Sequence, residues 1–132
     1  MTHKRIVLKV PGLEHMHPIP LATRMGSLLV TGPISGKDPE TGETGVDLES
    51  ECALMFANLP RIMEAAGGSI GDIIKLSVWL KGDDKTHLNK EWLAMFPDVE
   101  SRPVRHTFQN QDLPQNYRVQ CEFTAVFEDA KE

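Results

Sequence analysis

The chain lacks most of the features that would assign it to a function class at once. No stretch approaches the ~20 apolar residues of a membrane span. The opening MTHKRIVLKV has neither the apolar region nor the small-residue cleavage site of a secretory leader. No basic run exceeds His3-Lys4-Arg5, and the net charge is −5, which argues against a nucleic-acid surface. There are only two cysteines, Cys52 and Cys121, on different predicted elements and in no motif. That excludes a disulfide framework and fits a reducing compartment, so a cytoplasmic location is expected. The glycine-rich stretch 32–45 has no Gly-Lys-Ser/Thr ending and is no P-loop. Repeats and low-complexity tracts are absent.

What is present is an ordinary globular composition: 132 residues, 40% hydrophobic and 25% charged. One domain is expected, large enough for a core without disulfides or a structural metal. Arg5 to Val10 alternates polar and apolar residues as a strand. EHMHPIP, from Glu14 to Pro20, carries two prolines and reads as a loop. Leu21–Met25 and Ser27–Thr31 form a hairpin candidate around Gly26, and 32–45 is a surface loop. Apolar residues at helical spacing run from Val46 to Ala66, with Asp47 or a neighbour as cap and Gly67-Gly68 as the end. The pattern continues through Pro60, which predicts one kinked helix. Ile74, Leu76, Val78 and Leu80 alternate as a strand. Asp84 to Phe96 is a second helix, ended by Pro97, with Leu88, Trp92 and Phe96 as its stripe. Two strands follow, RPVRHTFQ (Arg102 to Gln109) and Tyr117 to Phe127, with a turn at Asp112 to Asn116 between them. The order β-β-β-α-β-α-β-β implies an α+β fold with both helices on one face of a single sheet.

Parity assigns faces along a strand. Tyr117, Val119, Cys121, Phe123, Ala125 and Phe127 form an apolar set expected beneath the helices. Arg118, Gln120, Glu122 and Thr124 form the opposite set. In RPVRHTFQ the apolar parity holds Val104, His106 and Phe108, which makes His106 a core histidine. The same parity puts Arg105 and Thr107 on the helix-free face, beside Gln120 if the two strands pair. Arg102 falls at the strand's start, as a surface or interface residue. A mixed helix-free face that includes Trp79 suits a closed subunit interface.

Ordered pieces along nearly the whole chain carry a family resemblance: LLVTGPIS, DPETGE, LPRIMEAAGGSIGDIIKLSVWL, LNKEWLAMFP, PVRHTF and LPQNYRVQCEFTAV. On these the sequence resembles the Rid family of reactive-intermediate deaminases, also called YjgF. The resemblance implies a chorismate-mutase-like fold, a homotrimer with inward sheets and inter-subunit clefts, and hydrolysis of enamine or imine intermediates, such as 2-aminoacrylate, to a 2-oxo acid and ammonia. It implies no cofactor.

Residue by residue, Arg105 matches the family arginine that grips a substrate carboxylate, a task suited to a planar guanidinium. Thr107 stands where many members carry cysteine, and its backbone would help place the attacking water. Thr31 and Gly32 match a Ser-Gly pair of the pocket floor, and Asn89 an asparagine near the cleft. Gln120 replaces a glutamate that orients or activates the water; an amide can accept a hydrogen bond but is a very poor base. Ile19 replaces a tyrosine of the pocket roof, which makes the roof more apolar. His17 would lie at the pocket mouth. His15 and His17 form a His-x-His pair with no third ligand, so no metal site is expected. His3 and His87 are expected at the surface. The partner implied is a small carboxylate. Two alternatives accompany the deaminase reading: a non-catalytic carboxylate binder, and a catabolic deaminase acting on a larger acid of the 2-aminomuconate type.

Overall fold

A computed structural model describes residues 4–128. His3 lies outside them. The elements run β1 (Ile6–Leu8), β2 (Ala22–Met25), β3 (Leu28–Thr31), β4 (Ile34–Ser35), α1 (Leu48–Ala65), β5 (Ile73–Leu80), α2 (Thr86–Met95), β6 (Val104–Gln109) and β7 (Val119–Val126). The strands form one mixed sheet in the order β1-β2-β3-β7-β5-β6, with β4 also paired to β7. Both helices cover one face. β4 corrects the expected order: part of the predicted loop is a two-residue strand, too short to show any alternation.

α1 forms where expected. Asp47 accepts from the Ser50 backbone N–H at 2.9 Å, and the Ser50 hydroxyl accepts in return from the Asp47 N–H at 3.2 Å, a reciprocal cap. The helix continues through Pro60 as a single element. Gly67, at φ +84°, closes it: Gly67 donates to the Glu64 carbonyl and Gly68 to the Met63 carbonyl. The stripe of Cys52, Met55, Phe56, Leu59, Ile62 and Met63 is buried without exception. It packs on the predicted apolar set of β7, also buried from Tyr117 to Phe127. Both cysteines lie in this core as free thiols. Burial pushes the Cys52 thiol up to about 12 and raises Cys121 as well, so neither is a nucleophile at neutral pH.

Three parity expectations fail. First, a register irregularity between Ile73 and Lys75 puts Ile73, not Ile74, into the core. Second, β6 does not pair with β7. It runs parallel to β5 at the sheet edge, and β7 lies on the other side of β5. Third, β6 turns its faces the other way. Arg105 pairs with the buried Leu76 and Thr107 with the buried Val78, so Arg105 and Thr107 share the helix-side face. Val104 is 65% exposed and Phe108 36%, on the helix-free face. His106 is exposed there too, its ring 4.0 Å from that of Phe108, and is not a core residue. Polar side chains of β6 meet α2 on the helix side, Arg105 against Asn89 and Trp92, while its apolar residues face outward.

Candidate functional site

The predicted residues gather in two places. The first is a cavity of about 210 Å³. Its walls come from the loop Leu13–Leu21, from β4 and its flanks, from Pro114 and Gln115, and from the start of β7. Ile19, His17 and Gln120 all line it. Gln120 sits opposite Ser35 in the β4–β7 ladder and donates its Nε2–H to Ser35 Oγ at 3.1 Å. That leaves Gln120 Oε1 as an acceptor.

The local backbone fixes these walls. Buried Asn58 of α1 donates to the carbonyls of Ser35 (3.1 Å) and Lys37 (2.9 Å), tying the segment after β3 to the core. Thr31 does not line this cavity. Its hydroxyl accepts from the Phe123 N–H at 3.0 Å, filling the ladder between β3 and β4, and faces a smaller hollow of about 160 Å³. Gly32 lies behind the cavity wall: a Cβ there would sit 3.3 Å from His15 Nε2. Gln115 and Asn116, at φ 55° and 60°, hold strained left-handed backbone at the opposite rim.

His15 and His17 could by sequence bind a metal or replace a missing acid/base; among the described residues no group of three or more His, Cys, Asp or Glu could hold an ion. The structure makes His15 a wall residue whose Nε2 is buried without a partner. Its pKa is lowered, first by burial, then by the nearby charges of Lys37 and His17. Between that lowered value and 6.5 the unfolded chain binds more protons than the folded one, so stability rises with pH across the window and falls as pH drops through it. Melting temperature is expected to fall between about pH 7 and about pH 5, and to fall less in His15→Gln, which removes the titration. Equal slopes in the two proteins would contradict a buried neutral imidazole.

The second place is the outer edge of the helix side. Arg105 donates from NH2 to Asn89 Oδ1 of α2 at 2.8 Å, and its guanidinium lies 5.0 Å from the Trp92 ring. NH1 is buried and has no partner. Thr107 follows on the same face. Arg102, partly exposed, donates to the carbonyls of Phe96 and Pro97 and closes the end of α2. His87 is half-buried on α2, 4.0 Å from Glu49.

Within one chain, Arg105 and Gln120 therefore point to opposite faces of the sheet. Sequence reasoning missed Ser35, Lys37 and Trp92. The first two lie in a glycine- and proline-rich stretch read as surface loop, and Trp92 was assigned to the core stripe. No helix among the described residues is long and apolar enough to cross a membrane.

Comparison with known proteins agrees with this architecture. A family model described as Endoribonuclease L-PSP matches residues 18–127. A 2-iminobutanoate/2-iminopropanoate deaminase of Salmonella typhimurium is 30% identical over 104 residues, covering 77% of this chain and 81% of that protein. A RutC family protein of Aquifex aeolicus is 32% identical over 102 residues, covering 76% of this chain and 81% of its own length. The crystal structure of Escherichia coli TdcF with bound serine superposes with a TM-score of 0.85 at 26% identity, covering 93% of this chain and 99% of that one. A fold, a sheet order and a family match over most of the chain lead to one conclusion: this protein belongs to the Endoribonuclease L-PSP family, the YjgF/Rid proteins.

Proposed function

We propose that the chain is a cytoplasmic, cofactor-independent deaminase that hydrolyses 2-imino acids to 2-oxo acids and ammonia, and that it works as a homotrimer. One observation carries the reading. The Arg105 guanidinium is oriented by Asn89 and Trp92, and its NH1 is buried with no partner. A buried guanidinium nitrogen without an acceptor is costly, and a substrate carboxylate would supply that acceptor.

The reaction adds water across C=N and then breaks the C–N bond, so imine and water give ketone and ammonia. The electrophile is already activated, and positioning can supply much of the rate. Gln120 Oε1 would accept a hydrogen bond from the attacking water, with the Thr107 backbone assisting. Gly32 lies behind the wall, and Ile19 and His17 would close the roof and mouth.

Since Arg105 and Gln120 face opposite ways in one chain, the working site must combine the cavity of one subunit with the Arg105 edge of another. The helix-free face supports such an assembly. Leu28, Val30, Val104 and Val126 are each 40–65% exposed there, a surface that a second copy would cover. Light scattering is expected to give three times the chain mass, and a stable monomer would remove the shared site. The experiment for the activity is ammonia release from 2-iminobutanoate generated by an amino-acid oxidase. A second reading, a non-catalytic carboxylate binder, is favoured by Gln120, which lacks the basicity of a carboxylate. Carboxylate binding without accelerated ammonia release would establish it.

A further inference from the structure

The cavity beside Gln120 carries a lysine that imine hydrolysis does not use. Lys37, His15 and His17 all line it. The one carboxylate among the lining residues, Glu14, accepts from the Gly12 N–H at 2.7 Å, so it is directed to its own loop's backbone. Lys37 makes no ion pair within 4.0 Å among the described residues. Asn58 pins the Lys37 carbonyl and a β-bridge to Thr44 holds the same residue, so the backbone that carries this side chain is fixed at the cavity wall. Beside it, His15 Nε2 is buried and unpartnered. A lysine without an ion-pair partner, beside an imidazole nitrogen without a hydrogen-bond partner, makes a site that an anionic ligand would complete. The remaining wall is apolar, with Leu13, Ile19, Ile34 and Pro114. That combination suits a short methylene chain ending in a carboxylate.

We propose that this cavity is a second anion subsite, in which Lys37 pairs with the side-chain carboxylate of a dicarboxylic imino acid. The inference rests on the deaminase reading for the reacting end and names the substrate class of the same site. Arg105 of a neighbouring subunit holds the carboxylate next to the imine, and Lys37 holds the distal one.

The test compares 2-oxoglutarate with 2-oxobutanoate as product ligands by calorimetry on the full chain, and 2-iminoglutarate with 2-iminobutanoate as substrates. Wild type is expected to favour the dicarboxylate on the order of tenfold in both measurements, the scale of one charge-assisted hydrogen bond. Lys37→Met is expected to bring the ratio to about one, and Lys37→Arg to restore most of it. Equal affinity for both ligands in wild type, binding of neither, or an unchanged ratio in Lys37→Met overturns the subsite. The two readings fail separately. A binding preference with no ammonia from either imine sinks the deaminase and leaves the subsite standing. Turnover of both imines at equal efficiency does the opposite.

Discussion

Arg105→Ala is expected to lower kcat/KM for ammonia release from 2-iminobutanoate by roughly 10²–10³-fold, because two charge-assisted hydrogen bonds to one carboxylate are worth about 3–4 kcal/mol together. Arg105→Lys should recover only part of this, since an ammonium offers a point charge in place of a planar fork. The folded state should be little affected. Arg105 sits on an edge strand, half-buried, and among the described residues its side chain's one hydrogen bond goes to exposed Asn89. Asn89→Ala should act in the same direction but more weakly, because Trp92 still supports the guanidinium face. Retention of wild-type efficiency within about threefold in Arg105→Ala would remove the carboxylate anchor, and the shared-site argument with it.

The second large effect concerns stability. Glu51 of α1 is fully buried. One carboxylate oxygen accepts from the Arg118 N–H at 2.7 Å and the Val119 N–H at 3.4 Å, and the other accepts from Arg118 NH1 at 2.9 Å. Arg118 also donates to the carbonyls of Gly45 and Val46. Glu51 thus fastens the first turn of α1 to the first residues of β7, directly before Gln120. Neighbouring backbone leaves no slack: a Cβ on Gly36 would lie 2.1 Å from the Glu51 carbonyl oxygen. Glu51→Ala removes the acceptor and strands two backbone N–H groups and a guanidinium. Breaking a buried pair of this kind costs about 3–5 kcal/mol. The lower end applies here, because the Arg118 side chain is 41% exposed and water can take up part of its charge. Urea denaturation should show that loss as a lower midpoint with an unchanged slope. A loss under about 1 kcal/mol would mean that water replaces the carboxylate freely.

Several elements were legible because local physics determines them. The α1 stripe, its Asp47 cap and its Gly67 end follow from helical period and capping chemistry, and all are present. The alternation of β7 correctly separated its buried residues from Gln120, Glu122 and Thr124, since a central strand is covered on one side throughout. The family resemblance singled out Arg105, but strand parity put it on the wrong face.

That error shows where local reasoning ends. Hydrophobic alternation in β6 predicts that Val104, His106 and Phe108 face the helices. They face away, because β6 lies parallel to β5 at the sheet edge in a register that puts Arg105 and Thr107, not Val104 and Phe108, beside the buried Leu76 and Val78. Strand order depends on pairings between residues far apart in the chain, and nothing within RPVRHTFQ encodes its neighbour. The same holds for the cavity. Ser35 and Lys37 enter it because Asn58, some twenty residues later in the chain, binds their carbonyls. The sequence by itself determined the helices, their ends, the core face of the central strands and the residue types available for chemistry. Only the tertiary structure decided which of those residues meet, since that depends on long-range hydrogen bonds and on which sheet face the helices leave bare.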